Sequence, residues 1–126
     1  MFILYSSTRG DPVLLDSPSG LRSLDREFRA FLNSSSIRAS FPAITTGDPA
    51  PYSHLLAGLR VEKTQGASQL YLAGDRWLEL TGCPQDLSLL AKALSGLDDG
   101  NHHHWYTSPV SLIIEADESR ASCEGS

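Results

Sequence analysis

A chain of 126 residues, 40% hydrophobic and 20% charged, has ordinary globular composition and enough length for one real core. It has no apolar run near the ~20 residues that a membrane span needs, and its two cysteines, Cys83 and Cys123, provide no disulfide framework. The formal net charge of −5 disfavours nucleic acid as a partner and is compatible with a basic protein.

Met1-Phe2-Ile3-Leu4-Tyr5 lacks the basic leader, long apolar core and cleavage site of a signal peptide. It reads as a strand, in a soluble chain expected to work in the reducing cytoplasm. Phe2 to Ser6 and Pro12 to Leu15 are apolar and flank the turn-like Ser7-Thr8-Arg9-Gly10-Asp11. Leu21, Leu24, Phe28, Phe31 and Leu32 then recur at helical spacing, with Asp25, Arg26, Glu27 and Arg29 on the other face. Ser17-Pro18 supplies a capping hydroxyl and a proline suited to the first helical position, and Asn33-Ser34-Ser35-Ser36 ends the helix.

Ile37 to Phe41 and Leu55 to Lys63 read as strands, separated by the longest irregular stretch, which contains Gly47-Asp48-Pro49-Ala50-Pro51. Its prolines predict a stiff surface loop. Gln69 to Ala73 and Trp77 to Thr81 flank Gly74-Asp75-Arg76 and predict a hairpin. Within it, Trp77, Glu79 and Thr81 alternate with Leu78 and Leu80, which turns Trp77 toward the outer face. A second helix follows, with Cys83-Pro84 at its start, Asp86 in its first turn and a stripe of Leu87, Leu90, Ala91, Leu94 and Leu97. His102 to Tyr106 and Val110 to Ala116 are the last strands, and the polar residues 117–126 predict a disordered tail.

The order strand, strand, helix, strand, strand thus occurs twice, over about 1–64 and 68–116. Ser17-Pro18-x-x-Leu21-x-x-Leu24 parallels Cys83-Pro84-x-x-Leu87-x-x-Leu90. Residues 1–116 are therefore expected to form one α+β domain of two pseudo-repeated units. Its architecture would be an antiparallel sheet with both helices packed on one face.

The residues support little catalytic chemistry. Cys83 at a helix start has no assigned base, no serine lies in a Gly-x-Ser-x-Gly elbow, and no glycine cluster has phosphate-loop spacing. His102 and His104 share one face of a strand, so they could hold a metal if His54 supplied a third ligand. An exposed polar strand end explains the same histidines without a metal, and no cofactor is implied. The aromatic residues Trp77, Trp105, Tyr106, Tyr71 and Tyr52 would be interface anchors on an open sheet face, or core residues if turned inward.

The stretch Trp77-Leu78-Glu79-Leu80-Thr81-Gly82-Cys83-Pro84-Gln85-Asp86-Leu87-Ser88-Leu89-Leu90-Ala91 carries one further signal. Its continuation runs through Gly100-Asn101-His102-His103-His104 to Ser111-Leu112-Ile113-Ile114-Glu115. Together they resemble a family of bacterial immunity proteins from polymorphic toxin systems. The resemblance covers about the last third of the chain, where His103 and the short link to Val110 depart from the family pattern. It implies a non-catalytic protein that binds and neutralises a cognate toxin, a basic one by charge, with Trp77, Trp105, Tyr106, His102 and His104 as candidate contacts. The alternatives are a metal-binding protein or metal-dependent enzyme using His102, His104 and His54, and a structural or regulatory module that forms a homodimer through a sheet edge.

Overall fold

The computed structural model of the protein describes residues 2–6, 11–45 and 54–117. The proline-rich stretch around Gly47, Tyr52 and the tail beyond Asp117 lie outside these residues. In chain order the elements are β1 (Ile3–Ser6), β2 (Val13–Asp16), α1 (Pro18–Leu32), β3 (Arg38–Pro42), β4 (His54–Leu55) and β5 (Gly58–Lys63). The second half adds β6 (Gln69–Leu72), β7 (Trp77–Gly82), α2 (Pro84–Ser95), β8 (His102–Trp105), β9 (Ser108–Pro109) and β10 (Leu112–Ala116).

Helix α1 begins where the sequence places its cap. The Ser17 hydroxyl accepts the Gly20 amide at 3.0 Å, and Pro18 occupies the first turn, where its missing N–H costs nothing. Asn33 ends the helix by donating its backbone N–H to the Arg29 carbonyl. Helix α2 starts at Cys83, whose side chain makes no capping bond. Instead Asp86, in the first turn, accepts the Ser68 amide at 3.1 Å and ties the helix to the segment before β6. Both stripes are buried: Leu21, Leu24, Phe28 and Phe31 from α1, and Leu87, Leu90, Ala91 and Leu94 from α2.

The α+β class holds, and most strand pairs are antiparallel. The expectation of one sheet does not. The strands form two five-stranded mixed sheets, sheet I in the order β4-β1-β2-β10-β8 and sheet II in the order β3-β5-β7-β6-β9. The halves of the chain are interleaved, because each sheet joins three strands from one half to two from the other. In sheet I the seam is the parallel pair β2–β10, and in sheet II it is the parallel pair β5–β7. The segment between β3 and β5 links the sheets at one end. Ala43 donates to the Ala57 carbonyl at 2.9 Å, Ile44 donates to Phe2 at 3.0 Å, and Leu56 donates to Leu4 at 2.8 Å.

The helices pack against each other, and their stripes enter the same core as the inward faces of both sheets. Leu4, Leu14, Leu112 and Ile114 enter it from sheet I, and Leu59, Val61, Leu70, Leu78 and Leu80 from sheet II. Phe28, Phe31 and Phe41 form an aromatic knot within it, with ring centroids 5.8 to 6.4 Å apart. Strands β1 and β2 are buried on both faces, which is why they read as unbroken apolar runs and not as alternating ones. Their second face, Ile3, Tyr5, Val13 and Leu15, packs with Ile44, Leu55 and Ile113 in a smaller cluster. No helix of the described residues is long and apolar enough to cross a membrane.

Candidate binding surface

Sheet II turns a polar face outward, and the strand registers set its side chains in three rows. Pro42, Gly58 and Trp77 lie in register across β3, β5 and β7. Ser40, Arg60, Glu79 and Tyr71 form the next row, and Arg38, Glu62, Thr81 and Gln69 the third. Strict alternation produces this face, because Leu59, Val61, Leu78 and Leu80 point to the core between the outward residues.

Arg60 is the hub. Its Nη2 donates to both carboxylate oxygens of Asp75 at 2.9 Å and pairs with Glu79 Oε1 at 2.9 Å. Its guanidinium carbon lies 5.2 Å from the centroid of the Trp77 ring, within cation–π range. Arg60 Nε is buried without a hydrogen-bond partner. Glu79 also accepts the Tyr71 hydroxyl at 2.8 Å, and Arg38 Nε donates to Glu62 at 2.9 Å. The Glu79 hydrogen bond, followed by its negative charge, holds the Tyr71 phenol above its ordinary range. Desolvation pushes the Asp75 carboxyl up, but hydrogen bonds from Arg60 and the Trp77 amide, with the Arg60 charge, outweigh it and leave the carboxyl below its usual range.

These groups line an open hollow of about 390 Å³, with Arg38, Ser40, Arg60, Glu62, Tyr71, Glu79 and Thr81 in its wall. Its guanidiniums and carboxylates pair with one another across the strands, so a partner meets a hydrogen-bonded polar surface. The wall presents the hydroxyls of Ser40, Tyr71 and Thr81 and the carboxylates of Glu62 and Glu79.

Trp77 lies at the end of this face, on the side that its alternation with Leu78 and Leu80 predicts. It is seated over Gly58, where a Cβ would fall 2.7 Å from Trp77 Cζ3 and also against the Phe41 carbonyl and Pro42 Cα. Backbone cannot yield as a side-chain end can. Gly58→Ala is therefore expected to destabilise the fold by ~1–3 kcal/mol and to displace the indole. Denaturant titration followed by tryptophan fluorescence checks both effects.

The other candidates from the sequence lie elsewhere. Trp105 is 6% exposed and packs in the core opposite Leu112, so it cannot contact a partner as an exposed anchor would. The sequence pattern of β8 alone did not fix which residues of His102 to Tyr106 turn inward. Tyr106 is 78% exposed. His102, His104 and Tyr106 form a row at the edge of sheet I, with centroids 5.5 Å apart between the imidazoles and 6.0 Å between His104 and Tyr106. His54 sits in β4, at the opposite edge of that sheet. Four strand spacings of ~4.8 Å separate β4 from β8, about 19 Å in all. The proposed third metal ligand is thus far from the other two, and no group of three ligating side chains occurs among the described residues. Cys83 is half-buried and donates its backbone N–H to the Gly66 carbonyl.

Sequence reasoning missed Arg60, Asp75 and Glu79 as a unit. The available signal was the alternation of Arg60 and Glu62 with Leu59 and Val61 beside that of Trp77, Glu79 and Thr81, two polar faces that could share one sheet. Comparison with protein-family models, curated proteins and solved structures finds no match to the chain.

Proposed function

We propose that this chain is a non-catalytic protein-binding module that neutralises a cognate bacterial toxin in the cytoplasm, with the outward face of sheet II as its contact surface. The observation that carries the reading is the Arg60 lattice. Tyr71, Glu79, Arg60, Asp75 and Trp77 are held to one another, and the first three of them line an open hollow. Preorganised arginine and aromatic side chains are the groups that dominate interface energetics, because little entropy is lost when they are covered. Three carboxylates, Asp75, Glu79 and Glu62, stand against the two guanidiniums of Arg38 and Arg60. Together with the overall charge of −5, this favours a basic partner. The resemblance of the last third to immunity proteins supplies the class of partner.

The test is co-expression with the product of the neighbouring gene, which the proposal expects to be a toxin. Restored growth and a complex that survives purification are the expected results. A toxin that stays lethal and forms no complex overturns the proposal.

A further inference from the structure

We propose that the edge strand β8 pairs with β8 of a second copy, in an antiparallel register centred on His103, to form a homodimer through sheet I. This inference concerns a surface separate from the sheet II face and does not depend on the toxin reading.

The edges of the two sheets differ in how they are protected. Strands β4 and β9 are only two residues long, and β9 contains Pro109. Strand β3 has Arg38 at one end and Pro42 at the other. These are the devices by which natural edges avoid further pairing. Strand β8, His102–Trp105, contains no proline, lysine, arginine or carboxylate, and no described strand lies beyond it. In a chain of net charge −5, it is a stripe free of carboxylates on which two copies can meet.

The hydrogen-bond phase of the sheet shows which backbone groups face outward. The Ile113 amide donates away from β8, to the Pro12 carbonyl at 3.0 Å, and the Ala116 amide donates toward it, to Asn101 at 3.0 Å. Since the groups alternate along an antiparallel pair, Ile114, opposite His103, and Leu112, opposite Trp105, are the residues of β10 that bond to β8. The N–H and C=O groups of His102 and His104 therefore point to the open edge. A two-fold register centred on His103 places His102 opposite His104 of the second copy, and His104 opposite His102. Each pair then exchanges N–H···O=C bonds in both directions, so every outward group of these two residues is satisfied. Their imidazoles share one face with Tyr106, and the pairing sets flat rings opposite one another across the new seam.

The register provides its own test. His103 would face His103 of the second copy as a non-hydrogen-bonded pair, with Cα atoms about 4.5 Å apart, inside the ~4.4–6.8 Å range that a disulfide bridges. In a Cys83→Ser, Cys123→Ser background, His103→Cys is expected to give a covalent dimer on mild oxidation. His102→Cys is expected not to, since its counterpart is displaced by two residues, about 7 Å along the strand. Light scattering from micromolar to millimolar protein should rise toward twice the chain mass. His104→Pro removes an outward donor but no bond to β10, so it should weaken the dimer at least ~tenfold while its circular dichroism and melting stay near those of the parent. A chain that remains monomeric throughout overturns the proposal and leaves the edge to a strand of another protein. A dimer indifferent to His104→Pro, or one that crosslinks equally well through His102→Cys, overturns it too.

Discussion

On the proposed function, replacing Arg60 by alanine is expected to weaken binding of the partner by about 2 kcal/mol, roughly 30-fold, with little change in the stability of the free protein. The two effects separate because the ion pairs are open to water. Arg60 is 34% exposed and Asp75 is 56% exposed, so water screens their pairing and it adds little to folding. Binding would cover the same groups. Arg60→Ala removes the cation stacked on Trp77 and leaves Glu79 and Asp75 without their shared donor, so the partner would have to desolvate two uncompensated carboxylates. Arg60→Lys should recover only part of the loss, since an ammonium keeps the charge but not the planar guanidinium that lies over the Trp77 ring. Calorimetric titration with the toxin, set beside denaturant unfolding of each variant, gives the two numbers. Equal affinity for Arg60→Ala and parent would exclude this face as the contact surface.

Phe28→Ala is expected to cost ~3–5 kcal/mol of folding stability, lowering the melting temperature by roughly 10–20 °C for a chain of this length. Phe28 is 1% exposed and packs between Phe31 and Phe41, with centroids at 6.4 and 5.8 Å. The residue thus joins α1 to β3, where the core meets sheet II. Its removal leaves a void between the Phe31 and Phe41 rings. The gain in helix propensity from alanine offsets only ~0.5 kcal/mol. A shift of a few degrees in a calorimetric scan would mean that the core collapses onto the site, and would contradict the packing described for it.

Much of the local structure is legible in the sequence. The spacing of Leu21, Leu24, Phe28 and Phe31 follows a helical stripe, and the structure buries those four residues. Ser17 and Pro18 mark the helix start because a capping oxygen and a missing N–H each solve a problem found only at a helix terminus. The hairpin around Gly74-Asp75-Arg76 formed as expected. Its left-handed residue, however, is Arg76 at φ 70°, and not the glycine, because the turn is closed by the Arg76 amide bonding back to Ala73. The outward position of Trp77 followed from period two alone.

The parallel seams were not legible. Pairing Val13 with Ile113 joins residues a hundred positions apart, and no local period encodes which distant strand will lie alongside another. The candidate surface depends on such a seam, since Arg60 meets Glu79 only because β5 runs parallel beside β7. The same limitation produced the error over His54. Shared residue type suggested a common site, whereas strand order places it across the width of sheet I from His102 and His104.

By itself, then, the sequence determined the class of the fold, both helices with their apolar stripes, and the outward side of β7. Those properties follow from periodicity and capping, which act over a few residues. The tertiary structure decided that the strands form two interleaved sheets, that Trp105 belongs to the core, that Arg60 organises an open polar face, and that β8 is an edge without protection. Each of these depends on which strands become neighbours, a choice made by burying all the apolar faces at once and not by any segment alone.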